Sequence, residues 1–212
     1  MAIAKFVYLH GFASSPRSSK AQYFQERFGE RGEALTLVDL NGGDFSGLTL
    51  TRQIQQVAAL LPPAPAEVVA IGSSLGGLTA AWLAEQSVQV VRVVLLAPAF
   101  GFLPRYLQQL GEEQVQQWRS SGSLPIYHYA EAKPLPLNYN FVRDAEQYDD
   151  RQLQRPTPTL ILHGKFDETV PIEASRDYAR SRPWVKLVEL ESNHSLTDAL
   201  PLLWSETQAF LF

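Results

Sequence analysis

Apolar and polar positions along the chain divide it into short apolar runs and longer stretches with helical spacing. Residues 3–9 form an apolar run broken only by Lys5, which predicts a strand that ends at His10-Gly11-Phe12. Ala21, Phe24 and Phe28 then recur three and four residues apart, as on one face of a helix. Ser19 and Gln22 have the spacing of a capping box at its start, and Gly29 supplies a stop. Residues 34–40 predict a second strand, Asn41-Gly42-Gly43-Asp44 a loop, and 49–61 a helix burying Ile54, Val57, Ala58 and Leu61 until Pro62-Pro63 ends it. A third strand, 68–71, runs into Gly72-Ser73-Ser74-Leu75-Gly76 and a helix reaching about Gln86. Further strands are predicted at 92–97, 158–163 and 184–190, with helices from Pro171 to about Arg180 and from Asp198 to Phe212.

Strands alternating with helices predict an α/β fold, a mostly parallel sheet covered by helices on both faces, in one domain spanning 1–212. Residues 99–156 break the rhythm, because one crossover helix needs far fewer. This insert holds Phe100, Phe102, Tyr106, Trp118, Tyr127, Tyr129, Tyr139 and Phe141, and a proline-rich piece, Lys133-Pro134-Leu135-Pro136. Its aromatics either pack the insert onto the body or line an apolar acyl pocket beneath a cap, and the two roles can fall to different residues.

With 45% hydrophobic and 19% charged residues, the composition is that of a globular chain rather than a disordered one. The net charge of −4, with no basic stripe, argues against nucleic acid as a partner. There is no cysteine, which removes disulfides, thiolate metal sites and cysteine nucleophiles together. The four histidines show no ligand spacing, so neither a metal nor any other cofactor is expected. No apolar stretch approaches the length of a membrane span, since Gln89, Arg92 and Pro98 interrupt the longest one. The N-terminal run lacks a cleavage pattern, and a cytoplasmic location is the expectation.

The third strand, its turn and the following helix carry Gly-x-Ser-x-Gly in the strand–turn–helix setting that gives this motif meaning. A turn this sharp leaves no room for side chains at its flanks, so Gly72 and Gly76 select Ser74 as the nucleophile; Ser73 would need glycines where Ile71 and Leu75 stand. A serine hydroxyl needs a base, and the base a carboxylate to hold it. Asp167 lies just past strand 158–163 and His194 just past strand 184–190, both on loops at the carboxyl edge of the sheet. His163 stands at a strand end and reads as a structural residue shaping the acid loop. His10 and His128 lie where no base is expected, and no carboxylate follows strand 92–97. The N–H groups of Leu75 and of Phe12 are placed to form an oxyanion hole.

With these residues in place the chain resembles the α/β-hydrolase superfamily over its whole length. His10-Gly11-Phe12-Ala13-Ser14-Ser15-Pro16, with Ser18, Lys20 and Gly72-Ser73-Ser74-Leu75-Gly76-Gly77, is similar to the YqiA-like esterases, small bacterial hydrolases of short-chain esters. The resemblance implies Ser74, Asp167 and His194 as a triad, Phe12 and Leu75 as oxyanion donors, and a small-molecule ester of short to medium chain as substrate. The insert is longer and more aromatic than that family's compact pattern. A thioesterase or peptidase with the same triad, and a ligand-binding protein that keeps only the fold, are the alternatives. Arg17 and Lys20 read as a solvated helix start, with attraction of an anionic substrate as the second reading.

Overall fold

The computed structural model describes residues 5–212. Ile3 and Ala4, expected to open the first strand, lie outside the described residues. In chain order the strands are β1 (Lys5–Leu9), β2 (Leu35–Val38), β3 (Val68–Ser73), β4 (Val90–Leu96), β5 (Ser123–His128), β6 (Lys133–Asn138), β7 (Thr159–Gly164) and β8 (Val185–Leu190). The helices are α1 (Ser19–Glu30), α2 (Leu50–Ala59), α3 (Leu75–Gln86), α4 (Phe102–Leu110), α5 (Glu112–Ser121), α6 (Asn140–Ala145), α7 (Glu173–Arg180) and α8 (Leu200–Leu211).

Six strands form one sheet in the order β2-β1-β3-β4-β7-β8, every neighbouring pair parallel. Parallel pairing requires crossovers, and the crossovers cover both faces, so the inner strands are mostly apolar, with polar residues such as Lys5, Ser73, Arg92 and Thr159 at or near their ends. In β1, Val7 and Leu9 face one core while Phe6 and Tyr8 face the other; in β3, Val68 and Ala70 oppose Val69 and Ile71 in the same way. The helices α1 and α8 cover the second face through Phe24, Phe28, Leu203 and Leu211, and α2 and α3 cover the first. Because the chain leaves β1 for β2 on one side and returns to β3 on the other, the order in which strands are added reverses between β1 and β3. A crevice opens at the carboxyl ends of the strands there.

Three local expectations fail. Gly29 does not stop α1, which runs through it to Glu30 and ends just before Gly32 at φ 73°. Ser19 and Gln22 form no capping box: α1 begins at Ser19 behind Ser18, and the Gln22 side-chain amide donates instead to Pro16 O at 2.9 Å. Ala58 is exposed and Leu61 only half-buried, because Thr49 caps α2 by accepting from Arg52 N at 3.1 Å and turns Leu50, Gln53, Ile54 and Val57 inward.

The 99–156 insert is ordered secondary structure: α4, α5, the antiparallel β5–β6 hairpin and α6. The proline-rich piece is a strand. Pro125, Pro134 and Pro136 occupy alternate rungs of the ladder, whose missing N–H groups belong to positions that point away from the partner. Trp118 is fully buried at the centre of the insert and donates to Leu137 O at 2.8 Å. Tyr129 N to Ala13 O at 2.9 Å, Asn138 N to Ser46 O at 2.9 Å and Thr51 N to Asp144 Oδ2 at 2.9 Å tie the insert to the body.

Candidate active site

β3 ends at Ser73 and α3 starts at Leu75, so Ser74 alone makes the turn, with φ 53° and ψ −119°. L-residues rarely adopt that conformation, and neighbouring groups must impose it. Ser74 N donates to Leu96 O at 2.9 Å, and Ser74 O accepts from Gly77 N at 2.9 Å and from Leu78 N and Ala99 N at 3.1 Å. A Cβ on Gly72 would lie 2.2 Å from Gly76 O, and one on Gly76 2.2 Å from Leu9 O. Strand and helix therefore meet at a separation only glycine permits, and Ser74 is left projecting from the bend.

His194 Nε2 stands 3.0 Å from Ser74 Oγ, and His194 Nδ1 stands 2.7 Å from Asp167 Oδ2. The carboxylate can only accept, so Nδ1 carries the proton and Nε2 is free to accept from the serine hydroxyl. Asp167 Oδ1 accepts from Thr169 N at 2.9 Å and Val170 N at 2.8 Å. His163, fully buried, has its Nε2 3.0 Å from Asp167 Oδ2 and 2.8 Å from Val170 O. Both of these neighbours are acceptors, so Nε2 bears the proton and donates. Burial alone would push the Asp167 carboxyl up; the hydrogen bonds from His163, His194 and Val170 outweigh it and hold the group well below the usual carboxylate range.

Sequence reasoning gave His163 a structural role near the acid loop, and the structure adds a direct bond to the carboxylate. It did not single out Gly164, where a Cβ would meet Ser192 O at 2.3 Å. That approach brings the Asp167 and His194 loops together, and the signal for it was a second His-Gly pair at a strand end, echoing His10-Gly11.

Gly11 lies against the turn, where an added Cβ would be 3.4 Å from Ser73 O and from Ser74 Cβ. Next to it, the N–H of Phe12 makes no hydrogen bond among the described residues, and neither does the N–H of Leu75 at the start of α3. Two uncommitted donors thus flank Ser74, one from each side of the sheet's point of reversal. His10 Nδ1 donates to Gly11 O at 2.8 Å, while its Nε2 accepts from Leu40 N at 3.0 Å, fixing this loop. Burial pushes the His10 pKa down, in keeping with a neutral ring that both donates and accepts.

Ser74 and His194 open into a cavity of about 570 Å³. Phe102, Arg105, Tyr106 and Gln109 line it from a single face of α4, at i, i+3, i+4 and i+7. Tyr127, Tyr129 and Phe141 add aromatic wall, whereas Trp118 packs behind Tyr106 and Phe141, and Phe100 stacks on Tyr178 with ring centroids 4.0 Å apart. The insert's aromatics divide between lining and packing. Among the described residues no helix is long and apolar enough to cross a membrane.

The model of a family described as Uncharacterised protein family (UPF0227) matches residues 5–211. The pimeloyl-[acyl-carrier protein] methyl ester esterase of Vibrio atlanticus is 25% identical, with 75% of this chain and 76% of that protein aligned. Est1E from Butyrivibrio proteoclasticus, solved with ferulic acid bound, superposes with a TM-score of 0.81 at 22% identity, covering 99% of this chain and 88% of that one. Mouse alpha/beta hydrolase domain-containing protein 10 superposes with a TM-score of 0.80 at 21% identity, covering 100% and 91%. The architecture is the α/β-hydrolase fold.

Proposed function

The chain belongs to the UPF0227 family along almost its whole length, and from that premise we propose a serine carboxylic-ester hydrolase that works through an acyl-enzyme on short- to medium-chain esters. The observation that carries the reading is the continuous hydrogen-bonded line from Ser74 Oγ through His194 to Asp167, opening into an aromatic cavity beside two uncommitted backbone N–H groups. The name of one relative, a methyl ester esterase, supports the reaction class, and Est1E, solved with ferulic acid bound, is a neighbour in fold.

In this reading Ser74 Oγ attacks the ester carbonyl carbon as its proton passes to His194 Nε2. Asp167 stabilises the resulting imidazolium, and the carboxylate stays ionised because His163 and two backbone N–H groups hold it so. Phe12 and Leu75 N–H bind the developing oxyanion, with the N-terminus of α3 behind the second donor. His194 then returns the proton to the leaving alcohol. Water, deprotonated by the same nitrogen, attacks the acyl carbon, and the carboxylic acid leaves as Ser74 Oγ regains its proton. The 99–156 insert acts as a cap whose lining face on α4 receives the apolar part of the substrate. Ser74→Ala and His194→Ala are each expected to lower p-nitrophenyl butyrate turnover by about 10⁴-fold in folded protein. A loss below tenfold in either would overturn the proposal.

A further inference from the structure

Charge is distributed unevenly around the cavity. The chain as a whole carries 22 acidic and 18 basic residues. Yet the cavity wall contains Lys20 and Arg105 and, among the described residues, no carboxylate. The triad carboxylate, Asp167, is sealed behind His194 with no exposed side-chain surface. Arg105 is held on the insert side by a hydrogen bond to Phe100 O. Lys20 stands on the opposite side, on the first turn of α1, together with Ser14, Ser18 and Ser195.

The Lys20 ammonium has three N–H donors. One goes to Ser195 O, the residue after His194, at 2.6 Å, and this is its only hydrogen bond among the described residues. It has no carboxylate partner there either. The contact with Ser195 holds the ammonium beside the base while leaving two donors uncommitted. Arg17, its neighbour in sequence, is exposed and does not line the cavity. A lysine on an ordinary solvated helix start would be free to swing into water. Here burial pushes the pKa down to about 8, an effect only partly offset by attraction to Asp167. Lys20 is half-buried at the cavity wall, so its ammonium still meets water there, and an anion entering the cavity displaces that water and supplies the charge partner the ammonium lacks.

We propose that Lys20 is a specificity-determining residue that receives a carboxylate of the substrate, so that the preferred esters are monoanions carrying a free carboxylate at some distance from the scissile bond. The proposal rests on the esterase reading of Ser74 and gives that site a substrate class. The anion is a carboxylate, whose two oxygens match the two open ammonium donors, while Arg105 is engaged across the cavity with Phe100 O. The aromatic wall takes the spacer between ester and carboxylate. Charge-assisted hydrogen bonds of this kind correspond to about 10- to 100-fold in kcat/KM.

The test compares monomethyl esters of the dicarboxylic acids from succinate to suberate with their neutral ω-amides. Carboxymethyl butyrate against carbamoylmethyl butyrate places the charge on the alcohol side instead. The wild type is expected to prefer the anionic member of at least one pair by about tenfold or more. Lys20→Met is expected to bring that ratio close to one, and Lys20→Arg to keep most of it. A Lys20 that merely supports the Ser195 loop or tunes His194 would slow both members of a pair together and leave the ratio intact. A ratio near one for every pair in the wild type, or a ratio unmoved in Lys20→Met, overturns the proposal. Thermal-shift binding to folded Ser74→Ala provides a readout independent of turnover. There the anionic ester should stabilise the protein more than its amide, and should lose that advantage in Ser74→Ala/Lys20→Met. If no ester is hydrolysed but this difference in binding appears, the hydrolase reading fails and the carboxylate site stands. Hydrolysis and binding both blind to charge would leave the hydrolase and remove the site.

Discussion

Replacing Ser74 by glycine and by alanine turns the geometry of the bend into a sign test. Both variants lose the hydroxyl and its hydrogen bond to His194, so that loss cancels between them. They differ in how they tolerate φ 53° and ψ −119°. A residue with a Cβ held in such a region costs about 1–3 kcal/mol, which alanine retains and glycine removes. Against this, glycine surrenders about 0.5–1 kcal/mol more backbone entropy on folding than alanine. The balance makes Ser74→Gly more stable than Ser74→Ala by about 0.5–2 kcal/mol, a few degrees in Tm for a domain of this size. At an unstrained position the order would be the reverse. Urea denaturation of the two purified proteins, with m-values compared to confirm equal exposure on unfolding, measures the difference. If Ser74→Ala proves the more stable, the bend is not strained and the close approach of Gly72 and Gly76 has been misjudged.

Two other glycines give a matched contrast. Gly76→Ala places a Cβ 2.2 Å from Leu9 O and 2.4 Å from His10 O, and is expected to destabilise by more than about 3 kcal/mol. Gly29→Ala, inside α1 with nothing within 4 Å, is expected to stabilise by about 0.5–1 kcal/mol; similar effects for the two in denaturant titrations would count against the packing described. The pH dependence of stability should carry the signature of Asp167. Its pKa is depressed on folding, so the stabilisation is whole above its unfolded value of about 3.9 and is lost as pH falls below that. The gap in unfolding free energy between wild type and Asp167→Asn should therefore shrink as pH falls from about 5 toward about 3; a gap level over that interval would contradict it. Trp118→Phe removes the indole hydrogen bond to Leu137 O, which keeps its ladder contact with Leu124, and is expected to cost about 0.5–1.5 kcal/mol by the same denaturation assay, no loss at all being the contrary result.

Much of the sheet was legible because parallel strands buried on both faces carry short, mostly apolar runs, and the helix faces between them repeat at 3.6 residues. The ends of the elements were less so: the Gln22 amide can accept from Ser19 N–H or donate to Pro16 O, and local spacing does not tell the two apart. The insert stayed opaque for a clearer reason. Proline argues against a strand, and only the pairing partner reveals that Pro125, Pro134 and Pro136 sit on rungs that need no N–H. At the site, the order of Ser74, Asp167 and His194, after β3, β7 and β8, selected residues that stand within hydrogen-bond distance. Steric demands at Gly72 and Gly76 carried the choice between Ser73 and Ser74. Lys20 was ambiguous for a converse reason: a lysine at a helix start is usually solvated, and its single hydrogen bond to a carbonyl 175 residues away in sequence has no local trace.

The most direct test of the account is labelling with a fluorophosphonate, which needs no knowledge of the natural ester. Intact mass followed by peptide mapping should find one adduct, on Ser74, absent from Ser74→Ala and strongly slowed in His194→Ala. An unlabelled folded protein, or an adduct on any other serine, would contradict it.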